Sequence, residues 1–238
     1  MALTLYLAMT AAEMQACTHL PKNMAWMACH FSPYGTGLSN IPAHLPPGSM
    51  LILNDRIPPQ GHDPNAVAAQ LEEAVAALQV HRVLLDLQRP DNEENLKIVQ
   101  AITRKLHCPV GVTSAYAAGL SCAVFLSPQL RKPLSEQLEQ WIGRDIWLEA
   151  AADCEIITVT ETGSIISPGA IPETVQTVHT DEPLCCRYCL DLEDTCARFT
   201  VWRDSAQLNR LLAEAEKLNL QCAVGLYQQL HENAAEDS

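Results

Sequence analysis

Apolar residues arrive along this chain in short blocks, and many of the blocks are separated by stretches whose apolar positions recur with helical spacing. Residues 3–9, 24–31, 50–54, 82–87, 109–114, 123–126, 145–149 and 222–227 read as eight strands. The clearest helix spans 64–78, where Asp63 supplies a cap, Pro64 suits the first turn, and Val67, Leu71, Val75 and Leu78 form one stripe. Asp91 with Glu94 opens a second, with Val99, Ile102 and Leu106 on one side. Leu134, Leu138, Trp141 and Ile142 mark a third. Asp204 or Ser205 opens the last, with Leu208, Leu211, Leu212, Ala215 and Leu218 facing inward and Asn219 as a left-handed stop. Thr10 and Glu13 have capping-box spacing for a short first helix.

Strands alternating with helices imply parallel pairing through right-handed crossovers. Eight of them point to a compact (β/α)8 barrel of the TIM type rather than an open doubly wound sheet, with residues 1–238 as one barrel-like domain. Not every connection is helical. Residues 34–47 read as a long loop, and 54–63 are rich in Pro and Gly before a full helix. Between the seventh and eighth strands, 155–159 and 164–166 flank a Glu161-Thr162-Gly163 turn, and 186–190 and 197–202 flank another around Glu193-Asp194. Residues 155–202 therefore read as β-hairpins inserted into the barrel, and 232–238 as a frayed acidic tail.

Charge narrows the partners. With 28 acidic against 15 basic residues, the formal charge of −13 argues against nucleic acid and against an anionic membrane surface. The first basic residue is Lys22, so the apolar N-terminal stretch lacks the positive region of a secretory signal, and no apolar run reaches a membrane span of about 18 residues. Dense disulfide frameworks belong to small secreted domains, so the ten cysteines read as reduced thiols in a cytoplasmic protein. No Walker loop and no Gly-x-Gly-x-x-Gly pattern occurs. Cys185, Cys186, Cys189 and Cys196 form the densest thiol cluster, but one Cys-x-x-Cys knuckle inside a strand pattern does not make a zinc site, and no cofactor is implied. The sequence sets no oligomeric state.

In a barrel the site belongs at the C-terminal strand ends and the loops after them. The run 82–90, RVLLDLQRP, is the most informative there, because an apolar strand ends in Asp86, Gln88 and Arg89. The same rule selects Thr10 and Glu13, His30, Ser32 and Tyr34, Asn54, Asp55 and Arg56, Ser114 and Tyr116, Glu149, and Tyr227 with Gln228. Alternation puts Asp86 with Gln88, Trp147 with Glu149, and Ala28 with His30 and Ser32 on common strand faces. Such a mouth suits a small polar or carbohydrate-like ligand. Glycosidic cleavage needs two carboxyl groups, about 5 Å apart for retention and about 6.5–9.5 Å for inversion, and Asp86 with Glu149 is the candidate pair. Each residue also has a structural reading. Asp86 can pair with Arg89 or Arg56 or cap a turn, His30 can be a satisfied buried histidine, and Glu13 can serve its cap alone. Glu149 can bridge to Arg144, and Trp147 can fill core rather than stack on a sugar.

The segment VLLDLQ resembles the strand-four motif of chitinase-like family 18 glycoside hydrolases, in which a strand ends in Asp-x-Glu on a (β/α)8 barrel. The resemblance covers this strand and the expected fold. It implies that Asp86 matches the supporting aspartate and that Gln88 stands where the family has its acid glutamate. An amide cannot protonate a leaving group, so the departure favours retained sugar binding over turnover and keeps a second reading open, a non-catalytic barrel that binds a ligand or a partner.

Overall fold

The structure, a computed structural model, describes residues 2–35, 37–89, 93–174 and 177–234. In chain order the elements begin with β1 (Thr4–Met9), α1 (Ala11–Ala16), β2 (Met24–Phe31), β3 (Leu38–Ser39), β4 (Met50–Asn54), α2 (Pro64–Leu78) and β5 (Arg82–Asp86). They continue with α3 (Glu93–Lys105), β6 (Val110–Thr113), β7 (Ala123–Leu126), α4 (Leu134–Leu138), β8 (Ile146–Ala150), β9 (Cys154–Thr160) and β10 (Gly163–Pro168). The last are β11 (His179–Asp181), β12 (Cys186–Glu193), β13 (Cys196–Trp202), α5 (Ser205–Lys217), β14 (Cys222–Leu226) and α6 (Tyr227–Ala234).

Eight of these strands close on themselves in the order β1-β14-β8-β7-β6-β5-β4-β2, with β1 pairing β2 to complete the ring. The expected (β/α)8 barrel is therefore present, and its strands coincide with the eight apolar blocks to within a residue or two at each end. The chain divides into two compact units. One comprises Thr4–Leu126, Gly143–Glu149 and Gln221–Ser238; the other comprises Met1–Leu3, Ser127–Ile142 and Ala150–Leu220.

The first unit is built in two apolar shells. Alternation along each strand sends one set of side chains outward against the helices and the other inward. On β5, Val83 and Leu85 join Val67, Leu71, Ile98 and Ile102 of α2 and α3 outside. Leu84 joins Tyr6, Ala25, Ile52, Phe125, Trp147 and Val224 inside. Gly111 on β6 is the small partner that makes room for Trp147, because a Cβ there would lie 2.3 Å from the indole Cε3. The inner layer ends in a stack. The Arg82 guanidinium carbon lies 5.4 Å from the Trp147 ring centre and 5.9 Å from that of Tyr6, and Trp147 Nε1 donates to Asp145 at 3.2 Å. α2 starts where its sequence demands, with the Asp63 carboxylate accepting from the Asn65 N–H at 2.9 Å.

The structure departs from the sequence reading at several places. The 34–47 loop is not wholly irregular, since β3 within it pairs antiparallel with the end of β2. The third helix ends at Leu138 and decays through a 3₁₀ turn, Glu139–Trp141; Ile142, read as part of that helix, lies beyond it and is 85% exposed, next to Gly143 at φ +82°. Asp91 lies outside the described residues, and α3 is observed from Glu93. Asn219 adopts φ 60° and ends α5 as expected.

In the second unit the two hairpins, β9/β10 and β12/β13, merge through β9–β13 pairing into one antiparallel sheet, β10-β9-β13-β12-β11. Cys186 packs with Leu130 and Val201, whereas Cys189 packs with Cys154 and Trp202, so strand alternation separates the knuckle onto opposite faces. Among the described residues no group of three His, Cys, Asp or Glu side chains could hold a metal ion, and all ten cysteines are free. Arg203, 2% exposed, donates to the carbonyls of Pro128 at 2.7 Å, Gln129 at 3.0 Å, Cys185 at 3.3 Å and Leu184 at 3.4 Å. No helix among the described residues is long and apolar enough to cross a membrane.

Candidate functional site

The fourth barrel strand, β5, delivers Asp86 to the C-terminal mouth of the barrel. Leu84 belongs to the inner layer, so Asp86, two residues on, follows it toward the barrel axis where the apolar filling stops. Its Oδ1 accepts a hydrogen bond from the Gln88 amide. Burial raises the pKa of Asp86, the Gln88 bond pulls it back, and the neighbouring Asp55 charge adds to the rise. The net direction is upward, so this carboxyl holds its proton further toward neutrality than an ordinary aspartate.

The turn that presents Gln88 is fastened at Leu87, Gln88 and Arg89. Asp55, 5% exposed, spends Oδ1 on the Gln88 N–H at 3.1 Å and Oδ2 on the Arg89 N–H at 2.8 Å. Arg89 returns along the same loop, its Nε donating to the Asp55 carbonyl at 2.9 Å and its Nη2 to the Arg56 carbonyl at 3.3 Å. Thr113 Oγ1 donates to the Leu87 carbonyl at 2.9 Å. Tyr116 Oη donates to the Arg89 carbonyl at 2.9 Å while accepting from Asn95 Nδ2 at 2.7 Å. A loop pinned by neighbouring strands and buried side chains cannot drift, which is how a site holds a side chain in one geometry.

On the adjacent wall a β-bulge re-aims the end of β2. The register with β4 shifts between Trp26 and Cys29, so Ala28 and Cys29 both pack against the outer shell. Ala28 therefore does not share a face with His30. With Phe31 also buried outside, His30 turns to the inner side, where one ring nitrogen meets the Phe31 carbonyl at 2.7 Å and the other meets Asn40 Nδ2 at 3.1 Å. Asn54, at the end of β4, donates to the Met27 carbonyl at 2.8 Å and accepts from the Arg56 N–H at 3.1 Å.

On β8, three strands round the ring from β5, Glu149 follows inward-facing Trp147 and is half-buried. Trp147 itself is 0% exposed, with its indole committed toward Asp145 and Arg82, so it offers no face to a ligand. Tyr116 is 1% exposed and belongs to the loop clamp; its ring is core. Tyr34 is 85% exposed on the loop after β2. Tyr227 opens α6, and its hydrogen bond with Cys17 raises its pKa. Gln228 reaches Glu13. Burial opposes ionisation of Glu13, but bonds from the Thr10 N–H and hydroxyl and from Gln228 outweigh it and lower its pKa. Thr113 went unselected in the sequence; a Thr closing an apolar strand was the available signal.

These features define a (β/α)8 barrel protein with an antiparallel insertion between its last two barrel strands and with Asp86 and Glu149 at the ends of two of the eight strands. The sequence matches no family model and no curated protein. Solved structures share the fold. The Bacillus cereus spore cortex-lytic enzyme SleL aligns with a TM-score of 0.55 at 7% identity, over 94% of this chain and 70% of that one. A Bacillus subtilis protein, YdhD, provisionally described as a sporulation-specific glycosylase, aligns with a TM-score of 0.51 at 9% identity, over 84% of this chain and 90% of that one.

Proposed function

We propose that this barrel binds a carbohydrate at its mouth and cleaves glycosidic bonds there, with Asp86 as proton donor and Glu149 as the opposing carboxylate. The observation that carries the reading is the state of Asp86. It is a half-buried carboxyl on the inner face of the fourth barrel strand, raised in pKa by burial and held by Gln88. A general acid needs that upward shift in order to be protonated at working pH. The likeness in fold to a spore cortex-lytic enzyme, and the VLLDLQ resemblance to chitinase-like strand four, support the same class.

A second reading rests on Gln88. If the acid position of such a site belongs to residue 88, its amide leaves a binding site without turnover. Native protein, Asp86→Asn and Gln88→Glu, assayed side by side on chromogenic glycosides, separate the two. Native activity lost in Asp86→Asn supports the hydrolase. Activity only in Gln88→Glu establishes the binding-only barrel, and no activity in any of them, with no sugar bound, removes glycosides from consideration.

A further inference from the structure

Among the described residues nine large hydrophobic side chains stand well exposed, and seven of them lie between Val159 and Leu192 in the insertion unit. Strand alternation sorts the sheet of that unit into two unlike faces. The register places Ile166 of β10 opposite Ile157 of β9, Ile157 opposite Phe199 of β13, and Phe199 opposite Leu190 of β12, so these four share one face. Two residues further along, Val159 pairs with Ala197 and Ala197 with Leu192 on that same face. At the other end of the strands the face is closed, where Cys186 and Val201 bury against Leu130. Its outer half is open: Val159, Ile166, Leu190 and Leu192 are exposed, Leu192 by 77%.

The opposite face of the same strands is polar. It carries Thr158, Asp191, Arg198 and Glu193, and Arg198 is ion-paired with Glu193 at 3.3 Å. The contrast decides what the apolar face can hold. No strand position on its outer half carries a charge, so a charged partner finds nothing there to pair with and an unlike protein gains no polar selectivity. A second copy needs none, because contact about a two-fold axis matches the patch with itself. Four strands at about 4.8 Å spacing, each about six residues long, span about 20 by 20 Å, or about 400 Å² per copy and about 800 Å² for a pair before side-chain relief is counted. That is at the small end of specific interfaces, below the roughly 1,200–2,000 Å² of a stable complex, and sets a weak, reversible contact.

We infer that this face is where two copies of the chain meet, sheet on sheet, in a concentration-dependent symmetric dimer whose shared layer is an apolar sandwich about 10 Å thick. The contact goes beyond the carbohydrate reading and does not depend on it. Charge sets its response to salt. Each copy carries −13, so bringing two together meets a repulsion that ions screen, and the patch holds no charge pair for salt to weaken. Association therefore strengthens as salt rises.

The test is sedimentation velocity of the whole chain from about 5 to about 500 μM, a range suited to a contact of this size. The expected mass climbs from monomer to dimer and stops there, and it does so at lower protein concentration in about 0.5 M than in about 0.05 M salt. Leu192→Glu puts a charge into the contact and should weaken the dimer at least about tenfold. Its site is exposed in the monomer, so folding is spared. Ile165→Glu, on the polar face and 70% exposed, should leave the dimer within about twofold. A chain that stays monomeric throughout overturns the inference. If that monomer binds the apolar dye ANS and Leu192→Glu loses the dye, the face takes an unlike apolar partner instead. Equal loss in both glutamate variants, or growth past the dimer, also overturns it, since neither fits a closed contact through this face.

Discussion

Substituting Gly111 by alanine sets two effects against each other. Glycine inside a strand costs backbone entropy, so alanine there gains about 0.5–1 kcal/mol where space exists. At this site space does not exist. The new Cβ would lie 2.3, 2.6 and 2.9 Å from three carbons of the Trp147 indole, about 1 Å inside ordinary contact at the nearest. The indole cannot step aside cheaply, because it is fully buried, donates to Asp145 and lies against Arg82. Overpacking of this kind costs about 1–3 kcal/mol or more, so the clash wins and Gly111→Ala is expected to destabilise by roughly 2 kcal/mol. In a chain of 238 residues that lowers the melting midpoint by roughly 4–8 °C, readable by circular dichroism. Trp147→Leu should relieve the clash, so the double variant should lose clearly less than the two single losses combined. An alanine variant as stable as the native protein, or more stable, would refute the placement of Trp147 against β6 and with it the inner layer.

Other outcomes follow from polar groups. Replacing Arg203 by methionine leaves four carbonyls that it serves without that donor and should cost more than about 3 kcal/mol, measured by thermal or urea unfolding. A smaller loss would mean that water substitutes freely there. For Asp86 the raised folded pKa fixes a sign. Its contribution to stability is complete below the ordinary aspartate range and is lost as pH rises through the folded value, so ionised Asp86 is a net cost at neutral pH. Asp86→Asn should therefore gain on the native protein as pH goes from acid to neutral; parallel stability curves would contradict the shift.

Why the barrel could be read from the chain, and part of its mouth could not, has a physical explanation. Strands and helices announce themselves through period, and here each barrel strand is an apolar block bounded by polar or turn residues, so the ring was legible block by block. Caps were equally plain, since Thr10, Asp63 and Asn219 act through neighbours a few positions away. What escaped depends on events outside the local pattern. The bulge in β2 breaks the alternation that grouped Ala28 with His30, and nothing in MAWMACHF signals an extra residue. Tyr116 and Trp147 were drawn to the mouth by residue type and strand position, but partners distant in sequence, Asn95 and Arg82, hold them in the core. Asp55 was selected as a ligand contact; its two oxygens turn out to hold the backbone of a loop more than 30 residues away, which only the pairing of β4 with β5 brings within reach.

The ten thiols give this chain a set of native clocks. Burial pushes Cys29 and Cys222 up to about 12 in the barrel-forming unit and Cys186 up to about 11 in the insertion unit, so none of these sulfurs reacts from its resting place. Each is modified only when its surroundings open, whereas Cys17 and Cys196, half-exposed, report the labelling rate of an accessible site. Following the mass gained at each cysteine over time therefore converts directly into opening free energies, residue by residue. A single shared rate for Cys29, Cys186 and Cys222 would describe a chain that yields as one body, and a rate common to Cys29 and Cys222 but different at Cys186 would describe two units that keep their own time.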